Sequence, residues 1–263
     1  DSNVSNEIIA SKPDIIFHLA AIVSGQAEQE FDLGWNINAK GSWGLFEAIR
    51  SLGDDYCPRV VFTSSIAVFG APFPEKIPDD FFATPLTSYG AQKAISELLL
   101  ADYSRKGMID GISIRLPTIC VRPGKPNLAA SGFFSGIIRE PLNGKEAILP
   151  VGTDVRHWHA TPRSAAGFLI HAAELDTKQL NNRITLNMPG LSVTVQEQID
   201  ALGRVAGNDA VKLIKHQPDP VIQKIVSGWA RDFDTQRSID LGFKAENNFD
   251  DIIKIYIEDD LNK

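Results

Sequence analysis

Tyr89 and Lys93 stand four positions apart in Ser88-Tyr89-Gly90-Ala91-Gln92-Lys93, a spacing that brings both side chains to one helical face, one turn apart. An ammonium held near a phenol favours the phenolate and lowers the tyrosine pKa from about 10 towards neutrality. The pair would then serve as a general base at physiological pH. Tyr-x-x-x-Lys is a short pattern that arises by chance in about one chain of this kind in five, so a plain surface pair is the competing reading. A second hydroxyl, Ser65, lies 24 positions before Tyr89, where an apolar run gives way to Ile66-Ala67-Val68-Phe69-Gly70. A serine there can present its hydroxyl to a ligand; standing alone, it would be expected to satisfy backbone groups. His157 and His159, two positions apart, invite a metal reading. Beyond Asp154, no nearby Cys, Asp or Glu completes a zinc set, so no metal is expected.

These side chains need elements to hold them. Ile15 to Ala21, Arg59 to Ser65 and Gly111 to Leu116 are apolar runs of the kind found in strands buried on both faces of a parallel sheet. The first ends in Ala20-Ala21, small enough for a close-approaching ligand, and the second ends in hydroxyls. Helices are expected between them, from about Trp35 to Leu52, closed by Gly53, and from Tyr89 to about Arg105, closed by Gly107. Thr87 or Ser88 would cap the latter. Strand, helix, strand, helix, strand at this spacing is an α/β pattern, each helix supplying the crossover between parallel strands. Ligands bind such sheets outside the carboxyl ends of the strands, where Ala20-Ala21, Ser64-Ser65 and Pro117 fall. Tyr89 reaches that rim only if residues 70 to 88 loop back to it.

After Pro117 the texture changes. Short helices are expected at Ser135 to Leu142, Pro162 to Leu175, Val195 to Ala206 and Phe249 to Leu261, with strands at Ala147 to Val151 and Arg183 to Met188. A net charge of −7 argues against an electrostatic nucleic-acid binder. No apolar run is long enough to span a bilayer and no signal peptide is read at the start, so no membrane partner is expected. Cys57 and Cys120 lack metal spacing and read as reduced cysteines of a cytoplasmic protein.

His18-Leu19-Ala20-Ala21, Asn38-Ala39-Lys40-Gly41-Ser42, Ser64-Ser65-Ile66-Ala67-Val68-Phe69-Gly70 and Tyr89 to Lys93 resemble, in order and spacing, the extended short-chain dehydrogenase/reductase family, which contains nucleotide-sugar epimerases and dehydratases. The resemblance implies a Rossmann-type doubly wound parallel sheet in residues 1–123 and a smaller substrate-binding lobe in 124–263, with some segments of the lobe returning to the sheet. It implies NAD as cofactor, a homodimer built partly from the Tyr89 helix and the Trp35 helix, and Ser65, Tyr89 and Lys93 as catalytic residues. Tyr89 would be the acid/base, Lys93 would lower its pKa and hold the nicotinamide ribose, and Ser65 would hold the substrate oxygen. Ala20, Ala21, Asn38 and Pro117 would surround the dinucleotide, and Glu97 would be structural. The family opens on a strand and a Gly-x-x-Gly-x-x-Gly turn for the pyrophosphate, a motif not found in these 263 residues. The first strand here resembles the family's fourth, so two βα units are expected to be missing from the N-terminus.

Arg115-Leu116-Pro117-Thr118-Ile119-Cys120-Val121-Arg122-Pro123-Gly124-Lys125-Pro126-Asn127 and Asp154-Val155-Arg156-His157-Trp158-His159 are similar to members that oxidise a small sugar acid. Such a substrate needs a partner for its carboxylate, and arginine offers a bidentate one. Arg122 and Arg156 are the candidates, with Asn127, Ser131 and His159 for other substrate contacts; a surface or structural role is the alternative for each. Arg163 stands where many nucleotide-sugar enzymes carry an acidic residue, which weakens the epimerase or dehydratase reading. A non-catalytic dinucleotide sensor is the third reading, disfavoured by the intact Ser65, Tyr89 and Lys93 set.

Overall fold

The computed structural model describes residues 2–124 and 129–261. The three apolar runs pair in parallel as β1 (Ile15–His18), β2 (Arg59–Ser65) and β3 (Asp110–Leu116). Past Pro117 come shorter strands β4 (Thr118–Ile119), β5 (Ala147–Leu149) and β6 (Arg156–Ala160). The next, β7 (Thr185–Asn187), returns to pair with β3, giving a four-stranded parallel sheet in the order β1-β2-β3-β7. With β8 (Leu191–Thr194) and β9 (Ile214–His216), the rest forms a β4-β6-β8 sheet and a β5-β9 pair. This is the α/β, Rossmann-like arrangement expected.

Helices α1 (Ser2–Ala10), α2 (Ser24–Gln29) and α3 (Phe31–Gly34) lead into a π-helical turn, Trp35–Lys40, and then α4 (Gly41–Arg50). The helix expected from Trp35 therefore begins with one wide turn, and Gly53, at φ 82°, closes it. α5 (Ser88–Arg105) carries Tyr89. α6 (Gly132–Leu142), α7 (Pro162–Glu174) and α8 (Val195–Ala206) follow, with a last helix at Phe249–Tyr256. No helix among the described residues is long and apolar enough to cross a membrane.

Apolar side chains gather mainly in two places. Around the four-stranded sheet, Val60, Phe62, Ile112 and Ile114 pack with Phe46 and Ile49 of α4, Leu100 of α5 and Phe168 of α7. A second cluster joins Val121, Phe134 and Ile137 to Leu202 of α8 and Ile252 and Ile253 of the last helix. Burying each large side chain is worth about 1.5–3 kcal/mol, so both clusters are substantial cores. One expectation fails at β1, read as buried on both faces: Ile16 is buried, but Ile15 and Phe17 are each 44% exposed. β1 is the edge of the four-stranded sheet, and only the Ile16 side packs into the core.

Candidate active site

Two glycines bring Tyr89 to the end of β2. A methyl group at Gly70 would stand 2.0 Å from the Thr84 carbonyl oxygen, and Thr84 donates its hydroxyl to the Gly70 carbonyl at 3.1 Å. The ends of the long loop therefore close on each other, as the reading of Tyr89 required. A methyl at Gly90 would come within 2.1 Å of the Ala67 carbonyl oxygen, so α5 lies in backbone contact with the 3-10 turn Ile66–Val68 that follows Ser65. Thr87, in extended conformation, caps α5 by accepting from the Gly90 amide at 3.1 Å.

Ser65 accepts from the Ala67 amide at 3.2 Å, which fixes its oxygen and leaves the O–H to donate. The Tyr89 phenol lies close to it, and the serine hydroxyl favours the phenolate. Lys93 is buried; its Nζ donates to the Thr63 carbonyl at 2.7 Å and sits 4.7 Å from the Phe62 ring centre and 5.7 Å from that of Tyr89. Burial pushes the Tyr89 pKa up to about 12, with the Ser65 hydroxyl opposing, and pushes that of Lys93 down to about 8, with Glu97 opposing. The expected fall of the Tyr89 pKa towards neutrality is thus not met here. Desolvation outweighs the ammonium, which is turned to a backbone carbonyl.

His18, the last residue of β1, meets the Ser42 hydroxyl at 2.8 Å between Phe46 and Phe62. Burial, then Lys93, lower its pKa to about 4, so it stays neutral. Asn38 sits in the π-helical turn with its amide fully used: Oδ1 accepts from the Ile22 amide at 2.7 Å, and Nδ2 donates to the Ile22 carbonyl at 3.1 Å and to Gln92 at 2.7 Å. It ties the segment after Ala20 and Ala21 to α5.

β2 and β3 run in register to Ser65 and Leu116, so Pro117 lies beside Ser65; β1 pairs His18 with Phe62, which sets Ala20 and Ala21 near the same level. The rim is small-sided, and it carries a phenol and an ammonium. That donor set fits the nicotinamide-ribose half of the dinucleotide implied by the resemblance.

The substrate candidates are dispersed. Arg122 is partly buried, its guanidinium meeting the Ser131 hydroxyl at 3.4 Å, and it has no carboxylate partner among the described residues. Burial, first, and nearby Arg139 pull its pKa down. Arg156 is engaged by the Ser192 carbonyl at 2.7 Å and by Glu197 at 3.2 Å. His159 is fully buried, 3.0 Å from Gln198 and edge-on to Phe134 and Phe249. Asn127 lies outside the described residues. His157 is held by Thr118 at 2.7 Å and the Ala230 carbonyl at 3.0 Å, stacked on Phe134. No group of three or more His, Cys, Asp or Glu among the described residues is arranged to hold a metal.

Thr63, Gly90 and Gln92 went unread as parts of the site. The glycine beside Tyr89 was a signal, since a residue without a side chain suits a close helix approach. A backbone carbonyl such as that of Thr63 leaves no trace in residue type.

The profile of the NAD dependent epimerase/dehydratase family matches residues 1–184. A D-erythronate dehydrogenase from Cupriavidus necator is 48% identical over 259 residues, covering 98% of this chain and 79% of that protein. One from Haemophilus influenzae is 44% identical over 256 residues, covering 97% and 81%. Among solved structures, a nucleoside-diphosphate-sugar epimerase from Agrobacterium tumefaciens is 60% identical with a TM-score of 0.96, covering 98% of this chain and 76% of that one. L-threonine 3-dehydrogenase from Trypanosoma brucei is 26% identical with a TM-score of 0.87, covering 98% and 79%.

Proposed function

The chain belongs to the NAD dependent epimerase/dehydratase family and is an NAD-dependent oxidoreductase of the short-chain dehydrogenase/reductase type, and from that premise we propose that it oxidises C2 of D-erythronate to give 2-dehydro-D-erythronate. The observation that carries a dehydrogenase site is the convergence of Tyr89 and Lys93 from α5 on Ser65 and Thr63 at the end of β2. The preference for an acid is supported by the two D-erythronate dehydrogenase relatives and by Arg122, a desolvated guanidinium with no carboxylate partner among the described residues.

When bound, NAD would supply the hydride acceptor for C2 of the substrate. Tyr89, as phenolate, takes the proton of the C2 hydroxyl. Ser65, its oxygen fixed by the Ala67 amide, donates to the forming carbonyl oxygen. A phenol held near pKa 12 is a poor base, so the charge of Lys93 and that brought by an oxidised nicotinamide must favour the phenolate. Lys93, Tyr89, Ala20, Ala21 and Pro117 would hold the nicotinamide-ribose end, with Asn38 fixing the segment behind the alanines. Arg122 would pair with the substrate carboxylate, with Ser131 beside it and Asn127 as a further contact. Arg156 and His159 are the weaker candidates, because Arg156 is engaged by Ser192 and Glu197 and His159 is sealed inside the second core. Two copies of the chain would pair through α4 and α5, where Trp43 is 51% and Leu98 73% exposed.

A second reading, a nucleotide-sugar epimerase that recycles bound NAD, is favoured by the name of the Agrobacterium tumefaciens structure. Against it, Arg163 at the usual acidic position is paired with Glu258 and Asp259. Assay of the full-length enzyme with NAD and four-carbon acids separates the readings. NADH formation with D-erythronate is expected; UDP-sugar turnover without net NADH would favour the epimerase.

A further inference from the structure

Three consecutive residues of β2 each receive a side chain from α5. The Thr63 carbonyl accepts from Lys93 at 2.7 Å, the Ser64 hydroxyl donates to Glu97 at 2.5 Å, and Ser65 meets Tyr89. Glu97 is the member with no part in the chemistry above. It is 5% exposed, and it accepts from Nε and one arm of Arg115 of β3, 6% exposed, at 2.9 and 2.8 Å. The remaining arm of Arg115 donates to the Asp79 carbonyl at 3.0 Å and to Asn187 of β7 at 3.3 Å, while its guanidinium lies 4.7 Å from the Phe69 ring centre. Asp79 in turn accepts from the Asn187 amide at 2.6 Å and from Arg237 at 3.3 Å. The pair thereby joins α5 to β2, to β3 and to the loop that delivers α5.

Taking two charges out of water offsets most of their attraction, so packing alone gives little reason for an ion pair in this position. Its placement has an electrostatic consequence instead. A full negative charge stands one helical turn beyond Lys93 and is partly offset by a full positive one on the adjoining strand. We propose that the Glu97–Arg115 pair is a positioning device for proton transfer, which fixes α5 over the end of β2 while Arg115 offsets part of the field that Glu97 exerts on Tyr89 and Lys93. This rests on the reading of Tyr89 and Lys93 as the proton-transferring pair.

The charged and titratable groups facing that pair are His18 from β1, Glu97 from α5 and, through Glu97, Arg115 from β3. Asp79 and Arg237 stand behind Arg115, and Glu28 of α2 accepts from the Ser88 amide at 2.8 Å at the start of α5. His18 is neutral, and Asp79 and Arg237 offset each other. Removing one partner of the buried pair therefore leaves the other's charge uncancelled beside Tyr89 and Lys93. Glu97 already acts on Lys93, raising its pKa against the effect of burial.

The test is the pH dependence of turnover in the full-length enzyme. Glu97→Gln leaves a cation, which lowers the pKa of phenol and ammonium alike, so the profile moves to lower pH by about half a unit to one unit. Arg115→Met leaves an anion, and the profile moves by a similar amount to higher pH. The double variant, with neither charge, returns to the wild-type position. Unmoved profiles, shifts in one direction for both single variants, or a displaced double variant would overturn the proposal. If a single variant does not fold, Arg115→Lys decides, because it keeps the charge and loses the fork. An unmoved profile with kcat about tenfold lower and KM unchanged supports the device, and wild-type kcat overturns it. Retained turnover in Tyr89→Phe would overturn the underlying reading instead; its loss with unmoved profiles overturns the device alone.

Discussion

Two regions of this molecule bury ionisable side chains in similar numbers, and they use them differently. At the seam between α5 and β2, Lys93, Glu97, Ser64 and Ser65 are bonded in ways that leave a phenol and a serine hydroxyl facing the strand-end rim. In the second core, His157 and His159 are stacked against Phe134, and their polar contacts run to Thr118, Ala230 and Gln198. Burial pushes His157 down to about 4 and His159 well below the ordinary histidine range, so both are neutral rings. On the proposed reading, the seam can act on a substrate because its packed backbone leaves a phenol and a hydroxyl unspent. In the second region, Nδ1 of His159 is left without a partner among the described residues but is sealed in the core, whereas the Arg122 guanidinium, held by the Ser131 hydroxyl at 3.4 Å, is only partly buried.

The comparison breaks most directly at Tyr89. Tyr89→Phe should lower kcat about a thousandfold with the fold intact, measured as NADH formation; an equal loss in His159→Gln would erase the distinction. Next is Gly90→Ala, whose methyl would meet the Ala67 carbonyl and shift the phenol from Ser65. A loss of about a hundredfold in kcat is expected, whereas Gly136→Ala in α6 of the second core, with nothing within 4 Å, should leave activity unchanged. Arg122→Gln should raise KM for the acid about tenfold to a hundredfold and change kcat much less, if that guanidinium holds a carboxylate.

The smallest effect is on stability. The folded pKa of His157 is depressed to about 4 from an unfolded value near 6.5. Its stabilising contribution is complete above that unfolded value and is lost as pH falls towards 4, because the unfolded chain takes up the proton first. Denaturant unfolding at pH 7 and pH 5 should differ by roughly 2 kcal/mol through this ring, and His157→Gln should remove that part of the pH dependence.

Much of the seam was legible because local rules and tertiary packing agree there. β2 forms over Arg59–Ser65 as its apolar run implied, and α5 starts after Thr87 because a threonine in extended conformation can cap it. α8 forms over Val195–Ala206 with a Thr194/Glu197 capping box. β6 went unread because Arg-His-Trp-His-Ala carries no simple alternation; its partners, β4 and β8, are supplied by segments distant in the chain. The direction of the Tyr89 shift was misread for a related reason. Spacing along a helix reports which side chains are neighbours, but desolvation depends on everything packed around them. Arg122 and Arg156 looked alike in sequence, and what separates them is Glu197, 41 residues beyond Arg156 and brought to it by β8 and α8.

The backbone contact at Gly90 bears on how this protein can be re-engineered. Since the phenol and the serine hydroxyl are gauged by the touch of a helix on a carbonyl, their separation offers no side chain to trim or enlarge. Variant libraries for altered substrate range should leave residues 63–70 and 87–93 untouched and sample the ground around Arg122 and Ser131. On the proposed reading, diversity there would change what is gripped, whereas diversity at the seam would change whether any reaction occurs.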